Sequence, residues 1–257
     1  MTDVALTGAK GRMGSLIIDE IRSSPDLKLV AAIDIIGIGD RVLGDVCVSD
    51  ARDVQRVLRE SRPDVLIDFT VPSAALENIH AAADTGVALV VGTTGFSEEQ
   101  LSIIEEMIKS AGIAAVISPN FSLGVNVFWK LVEMAARSLS DYDVEVIEAH
   151  HRKKKDAPSG TAMRTVEILS RSLGIEDVRH GREGMCERGR EIGVHAVRAG
   201  DIVGDHTVLF AGPGERIEIK HQAHSRSAFA RGALRAARWV VKAPPGIHSM
   251  EEVLASS

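Results

Sequence analysis

The chain has 257 residues, 45% hydrophobic and 26% charged, enough apolar material for one large or two modest cores and too much for a disordered chain. Its 30 Lys and Arg against 36 Asp and Glu give a net charge of −6, and only 4% of residues are aromatic, which argues against a general nucleic-acid surface or a base-stacking platform. Cys47 and Cys186 make neither a disulfide framework nor a Cys-x-x-Cys module; with no basic and apolar leader at Met1-Thr2-Asp3-Val4 and no membrane-length apolar run, a cytoplasmic protein is expected.

In the first half, β-branched runs alternate with amphipathic stretches, the pattern of parallel strands joined by crossover helices. Strands are predicted at Val4 to Leu6, Leu27 to Asp34, Val65 to Phe69, Val87 to Val91 and Ile113 to Ile117, with helices from Gly14 to Ile21 and after Ser97, whose spacing to Gln100 is that of a capping box. Beyond Phe121 the texture changes: a helix from Val125 to Leu139, a strand from Val144 to His151, a loop-like stretch over 176–193, then strands at Val194 to Ala199, Thr207 to Ala211 and Arg216 to Gln222. Their short turns predict antiparallel neighbours. Ser227 to Val241 carries Phe229, Ala233, Ala236, Ala237 and Val240 at helical spacing and is expected to return to the first domain. The fold class is therefore α/β: a Rossmann-like doubly wound parallel sheet plus a second α+β domain with a mixed, largely antiparallel sheet. Residues 1–121 and 227–257 are assigned to dinucleotide binding, and 122–226 to substrate binding and oligomerisation.

Gly8, Gly11 and Gly14, in G-A-K-G-R-M-G, lie between the first strand and the first helix. Glycines there let the backbone approach a pyrophosphate and present a helix start to its charge. Asp34 ends the next strand, where a carboxylate accepts from ribose hydroxyls and repels a 2′-phosphate. Ile35 and Ile36 follow it without a cation, so NADH is favoured, with Lys10 and Arg12 as the groups able to offset that bias toward NADPH. Gly92, Thr93 and Thr94, and Ser118 to Phe121, follow the fourth and fifth strands, whose carboxyl ends line a ligand crevice in such folds; ordinary turn chemistry is the competing reading.

The most concentrated chemistry is Glu148 to Ala162, E-A-H-H-R-K-K-K-D-A-P-S-G-T-A. Period-2 geometry puts Glu148 and His150 on one strand face, Ala149 and His151 on the other. Ser159 or a near neighbour should cap a helix patterned by Ala162, Val166, Leu169 and Leu173. A helix start, hydroxyls and adjacent cations suit a small dicarboxylate. His221 and His224, on opposite faces of a predicted strand, are a poor metal site, and none is expected.

H-H-x-x-K-x-D-A-P-S-G-T (His150 to Thr161), together with G-x-x-G-R-M-G, G-T-T-G-F, P-N-F-S-x-G-V-N-V and R-x-G-D-I-V-G-D-H, resembles the dihydrodipicolinate reductases, also called 4-hydroxy-tetrahydrodipicolinate reductases, over nearly the whole chain. The resemblance implies a lysine-pathway (diaminopimelate-forming) oxidoreductase that reduces a cyclic dicarboxylate with NADH or NADPH, and a homotetramer built through the second sheet. It implies His150 and Lys154 as the proton-transfer pair, His151 as a substrate contact, and Gly160 with Thr161, beside Ser159, as the carboxylate cradle. It also implies cofactor contacts from Gly8, Ala9, Lys10, Gly11, Arg12, Met13, Asp34, Gly92, Thr93, Thr94, Ser118, Pro119, Asn120 and Phe121. Ile35 departs from members that carry a 2′-phosphate-binding Arg. On the residues alone, a reductase of another substrate such as an amino-acid semialdehyde, or an NAD(H)-sensing binding protein, remain alternatives; only the latter would not oxidise the cofactor.

Overall fold

Period-2 alternation divides the first strand, β1 (Thr2–Thr7), between two cores: Val4 and Leu6 enter one, Ala5 the other. The computed structural model describes residues 1–255, in two compact units, Met1–Leu123 with residues from Arg226 onward, and Gly124–Ser225. In the first, β1 is followed by α1 (Arg12–Arg22), β2 (Leu27–Asp34), β3 (Arg41–Leu43), β4 (Val46–Asp50), α2 (Val54–Ser61), β5 (Val65–Asp68), α3 (Pro72–Thr85), β6 (Ala88–Val91), α4 (Glu98–Ala111) and β7 (Ala114–Ile117). Then come α5 (Leu123–Ser138), β8 (Asp143–His150), α6 (Gly160–Leu173), β9 (Val178–His180), β10 (Ile192–Arg198), β11 (Gly204–Gly212) and β12 (Glu215–Ala223). The chain returns to the first unit with α7 (Ser227–Val240), β13 (Gly246–His248) and α8 (Met250–Ala255).

The first unit is an eight-stranded sheet in the order β13-β7-β6-β5-β1-β2-β4-β3, parallel except for the β3–β4 hairpin at its edge. Ile17, Ile18 and Ile21 of α1 and Ala233, Ala237 and Val240 of α7 pack on one face. Val57 and Leu58 of α2, Ile79 and Ala82 of α3, and Ile104 and Ile108 of α4 pack on the other. This is the doubly wound architecture expected. The predicted strands are all present, but β3, β4, β13, α2, α3 and α8 are additional to those the sequence predicts. β4 is a short, mostly half-exposed strand and α3 is Ala-rich, so neither carries a strong apolar period.

The second unit has a five-stranded mixed sheet, β12-β11-β8-β10-β9, covered by α5 and α6. β10 and β11, expected to be antiparallel neighbours, do not pair. β8 lies between them, parallel to β10 and antiparallel to β11. Its inward Val144 and Val146 are thereby enclosed by Val194, Val208 and Phe210, which satisfies both edges of the strand and buries its apolar face. The stretch over 176–193 is not wholly irregular either, since it contains β9 and the start of β10. The connection from β10 to β11 skirts the end of β8, where Ala199 N–H donates to His150 O at 2.9 Å and Arg152 N–H to Gly200 O at 3.2 Å. Among the described residues, no helix is long and apolar enough to cross a membrane.

Candidate active site

In the first unit, register fixes where the loops emerge. Thr7 pairs with Ile33 and with Asp68, Asp68 with Val91, and Val91 with Ile117. The segments 8–13, 35–40, 69–71, 92–94 and 118–121 therefore leave from one edge of the sheet, the carboxyl ends of its strands, and β1 sits where the strand order reverses. Gly8 has φ +74°, and a Cβ there would lie 2.7 Å from Phe69 O. A Cβ on Gly14 would lie 2.1 Å from Gly8 O. Only glycine permits this coil, which ends at Gly11, the start of α1, with no side-chain cap on the helix. Its first-turn N–H groups are thus left to an external acceptor.

Asp34 Oδ2 accepts from Lys10 N–H at 2.8 Å, and Oδ1 accepts from Ile35 N–H at 2.7 Å and Ile36 N–H at 3.2 Å. The carboxylate thus ties the glycine loop to the exit of β2 and keeps acceptor capacity for one more donor. Lys10 Nζ pairs with Asp40 at 2.8 Å, Ala9 is buried, and Arg12 is exposed beside a half-buried Met13. Gly92 is half-buried against the Phe69 ring, and Thr94 is exposed. The hydroxyl of buried Thr93 is engaged internally: it donates to Asp68 Oδ1 at 2.6 Å and accepts from Thr70 N–H at 2.9 Å. Ser118 and Asn120 close a turn on each other, Pro119 is exposed, and buried Phe121 has its ring 5.7 Å from that of Phe69.

In the second unit, strand alternation turns Glu148 and His150 inward, 0% and 8% exposed. Glu148 Oε2 lies 2.5 Å from His150 Nδ1 and accepts from Arg198 Nη1 at 2.8 Å; Oε1 accepts from Arg198 Nη2 at 2.7 Å and Ser159 N–H at 3.0 Å. Burial would raise the Glu148 carboxyl, but Arg198, His150 and the Ser159 N–H outweigh it and hold it below the usual range. Burial lowers the His150 imidazole despite its Glu148 partner.

His151 lies just beyond the end of β8, half-buried, and its carbonyl accepts from Lys154 N–H at 3.0 Å, turning the loop. Lys154 Nζ pairs with Asp156 at 2.9 Å and the Lys154 side chain is 22% exposed, whereas Lys153 and Lys155 are exposed. Ser159 caps α6, its hydroxyl accepting from Ala162 N–H at 3.2 Å and lying 3.1 Å from His206 Nε2. Gly160 is exposed, with open space where a side chain would stand, and Thr161 is half-buried in the first turn.

The fold thus groups the cofactor-side residues at one sheet edge of the first unit and His150, Lys154, Ser159, Gly160 and Thr161 around the start of α6 in the second. Sequence reading gave no role to Glu148, Arg198 or His206. Glu148 shared a strand face with His150, and Arg198 and His206 both lie in R-x-G-D-I-V-G-D-H, but their partners are distant in sequence and meet only through the β8–β10 and β8–β11 pairings. Burial holds the His206 imidazole at about 4, so it is neutral at physiological pH; its Nδ1 has no partner among the described residues. No group of three His, Cys, Asp or Glu side chains among those residues is placed to hold a metal ion.

A doubly wound dinucleotide-type sheet and a separate α+β unit carrying a buried carboxylate–imidazole pair define a two-unit, Rossmann-type protein. The family models for the dihydrodipicolinate reductase N-terminus and C-terminus match residues 2–121 and 124–254. The chain is 55% identical to the 4-hydroxy-tetrahydrodipicolinate reductase of Methanococcoides burtonii over the full length of both, and 50% identical to that of Methanocaldococcus jannaschii over 99% of this chain and 97% of the other. A dipicolinate-bound dihydrodipicolinate reductase from Paenisporosarcina sp. TG-14 superposes with a TM-score of 0.83 at 27% identity, covering 97% of each chain. The chain belongs to the dihydrodipicolinate reductase family.

Proposed function

We propose that the chain reduces 4-hydroxy-tetrahydrodipicolinate to tetrahydrodipicolinate with NADH or NADPH, in lysine and diaminopimelate biosynthesis. The observation that carries this reading is full-length identity of 55% to a reductase named for that substrate, in a chain that keeps the H-H-x-x-K loop against a capped helix start. The glycine coil and uncapped α1 suit a dinucleotide pyrophosphate, held by residues 8–13, with Asp34 toward the ribose and segments 92–94 and 118–121 along the same edge. At Thr93 the backbone is the contact, because its hydroxyl is used internally, whereas Thr94 is exposed. The bound dinucleotide supplies the hydride.

Reduction of a ring carbon conjugated with C=N leaves negative charge on the ring, which a positioned acid must neutralise. Lys154 Nζ holds that proton, and His150 completes the proton-transfer pair. Loss of the 4-hydroxyl as water needs an acid as well; Lys154 can serve that step too, its amine taking up the ring C–H proton released as water leaves, so that the ammonium is restored for the reduction. His151 and the α6 start at Ser159, Gly160 and Thr161 orient the carboxylates, the open space over Gly160 admitting an anion to the backbone. Loss of NADH absorbance with enzymatically condensed pyruvate and aspartate semialdehyde tests the assignment. No oxidation, with cofactor still bound, would refute it.

KM for NADH is expected to be no higher than for NADPH, since Asp34 faces an exit whose next residues, Ile35 and Ile36, are exposed and uncharged, and Lys10 is paired with Asp40. Asp34→Ala should raise KM for NADH about 10-fold or more, the loss of a hydrogen bond to a charged group, and leave NADPH nearly unaffected. Steady-state kinetics with both cofactors decides; a strong wild-type preference for NADPH would overturn this account of the strand end.

The working assembly is a homotetramer formed through the second sheet. Its support is the outward sheet face, where Ile147 and Val197 are 39% and 45% exposed, surface that a partner sheet would cover. Sedimentation should give a species of four chains, and a single-chain mass of 27.5 kDa at micromolar concentration would contradict it.

A further inference from the structure

The carboxylate of Glu148 receives four hydrogen bonds, two on each oxygen, which fill its acceptor directions. One comes from the imidazole of His150, one from the backbone N–H of Ser159 at the start of α6, and two from Arg198, whose Nη2 also donates to Asp156 O at 2.6 Å. A single buried side chain therefore joins the strand end that carries His150, the helix start that follows the basic loop, and the arginine that grips that loop from β10. We propose that Glu148 is a positioning residue that locks His150 in its Nδ1–H tautomer, leaving Nε2 as the working nitrogen, while fixing the start of α6 in register with it. The proposal rests on the reading of His150 as a proton-handling group.

The tautomer follows from the donor inventory. Three of the four bonds come from obligate donors, the Ser159 N–H and the two Arg198 nitrogens, which mark Glu148 as the acceptor. His150 Nδ1 at 2.5 Å must then bring the proton to the contact. Nε2 points the other way, toward β11, where a Cβ on Gly204 would come within 3.0 Å of it. Glycine at this point leaves room at the nitrogen that the tautomer makes available. His206 lies edge-on to His150 with ring centroids 5.2 Å apart and contacts Ser159 Oγ through Nε2, so the helix start is held at its backbone by Glu148 and at its hydroxyl by His206. Because His206 is neutral, the charge around His150 is set by Glu148 on β8, Arg198 on β10 and Lys154 on the loop, with His221 and Asp205 more remote beside His206. Arg198 cancels much of the Glu148 charge. The carboxylate can thus orient the imidazole without holding it protonated, which agrees with the lowered pKa of His150.

The test is nitrogen NMR of the imidazoles in the full chain, with His150 signals identified by their loss in His150→Asn. Neutral wild-type His150 should carry its proton on Nδ1. Glu148→Gln should mix the tautomers and move the His150 titration to lower pH, since the Arg198 charge then acts unopposed; kcat should fall at least about 10²-fold, with a smaller change in KM. Arg198→Met should move the same titration to higher pH, since the Glu148 charge is then uncompensated. A residue that merely held the loop together would leave the wild-type tautomer unset; the opposite titration shifts show in addition that both charges act on His150. An Nε2–H tautomer in the wild type, or titrations that move together or not at all, would overturn the proposal, and the wild-type spectrum decides even if Glu148→Gln does not fold. The underlying reading fails separately, and the proposal with it, if His150→Asn keeps wild-type kcat.

Discussion

Replacing Lys154 with alanine is expected to lower kcat by about 10²- to 10⁴-fold, the usual contribution of a positioned general acid, with NADH affinity close to that of the unaltered protein. The loop separates this lysine from its neighbours. Its backbone N–H closes a turn on His151 O at 3.0 Å, its side chain is 22% exposed and its Nζ pairs with Asp156, whereas Lys153 and Lys155 are exposed. Cofactor affinity should survive because the glycine coil and Asp34 belong to the other unit. Lys153→Ala should matter far less. Steady-state kinetics of both variants, with NADH titrated separately, checks this, and equal losses would mean that the loop acts as a diffuse field of cations.

The second large effect concerns stability. Asp68→Ala should destabilise the first unit by about 3 to 5 kcal/mol, because several buried donors lose one acceptor at about 1 to 3 kcal/mol each and only some recover a partner. Asp68 is 0% exposed at the end of β5. It accepts from the Thr7 hydroxyl at 2.7 Å, the Asn78 amide at 2.7 Å, the Thr93 hydroxyl at 2.6 Å and both the N–H and the hydroxyl of Thr70. These donors come from β1, α3 and the loops after β5 and β6, so one carboxylate gathers the edge from which the cofactor-side segments emerge. Thermal unfolding should show Tm lowered by roughly 10 °C. A Tm within a degree or two of wild type would mean that water replaces the carboxylate and that the hub is dispensable.

What could be read from the sequence was whatever depends on near neighbours. β2 spans the predicted Leu27–Asp34, and the Ser97–Gln100 capping box forms with both of its hydrogen bonds, because the determinants lie within one strand or one helical turn. The Ser159 cap of α6 has the same local origin. What was hidden depends on pairing at a distance. Arg198 reaches Glu148 only because β10 runs parallel beside β8, and His206 reaches Ser159 only because β11 runs antiparallel on the other side. Short turns suggested that β10 and β11 were neighbours, and nothing local signals that an earlier strand is inserted between them. Asp68 was hidden for the same reason, since a lone Asp at a strand end resembles any turn former until its donors converge on it.

The first unit is built from both ends of the chain, and this dictates an order of assembly. Val4, Leu6 and Val116 share their core with Ala233, Ala237 and Val240 of α7, and Gly232 lies so near the end of the early segment that a Cβ there would stand 1.7 Å from Phe121 O. During synthesis, then, the part of that sheet face beside α1 that α7 covers stays open while all of 124–225 is translated. The intervening unit carries every strand of its own sheet and is complete before α7 leaves the ribosome. The segment translated first is the last to close, and its uncovered apolar face is the surface a nascent-chain chaperone would have to shield.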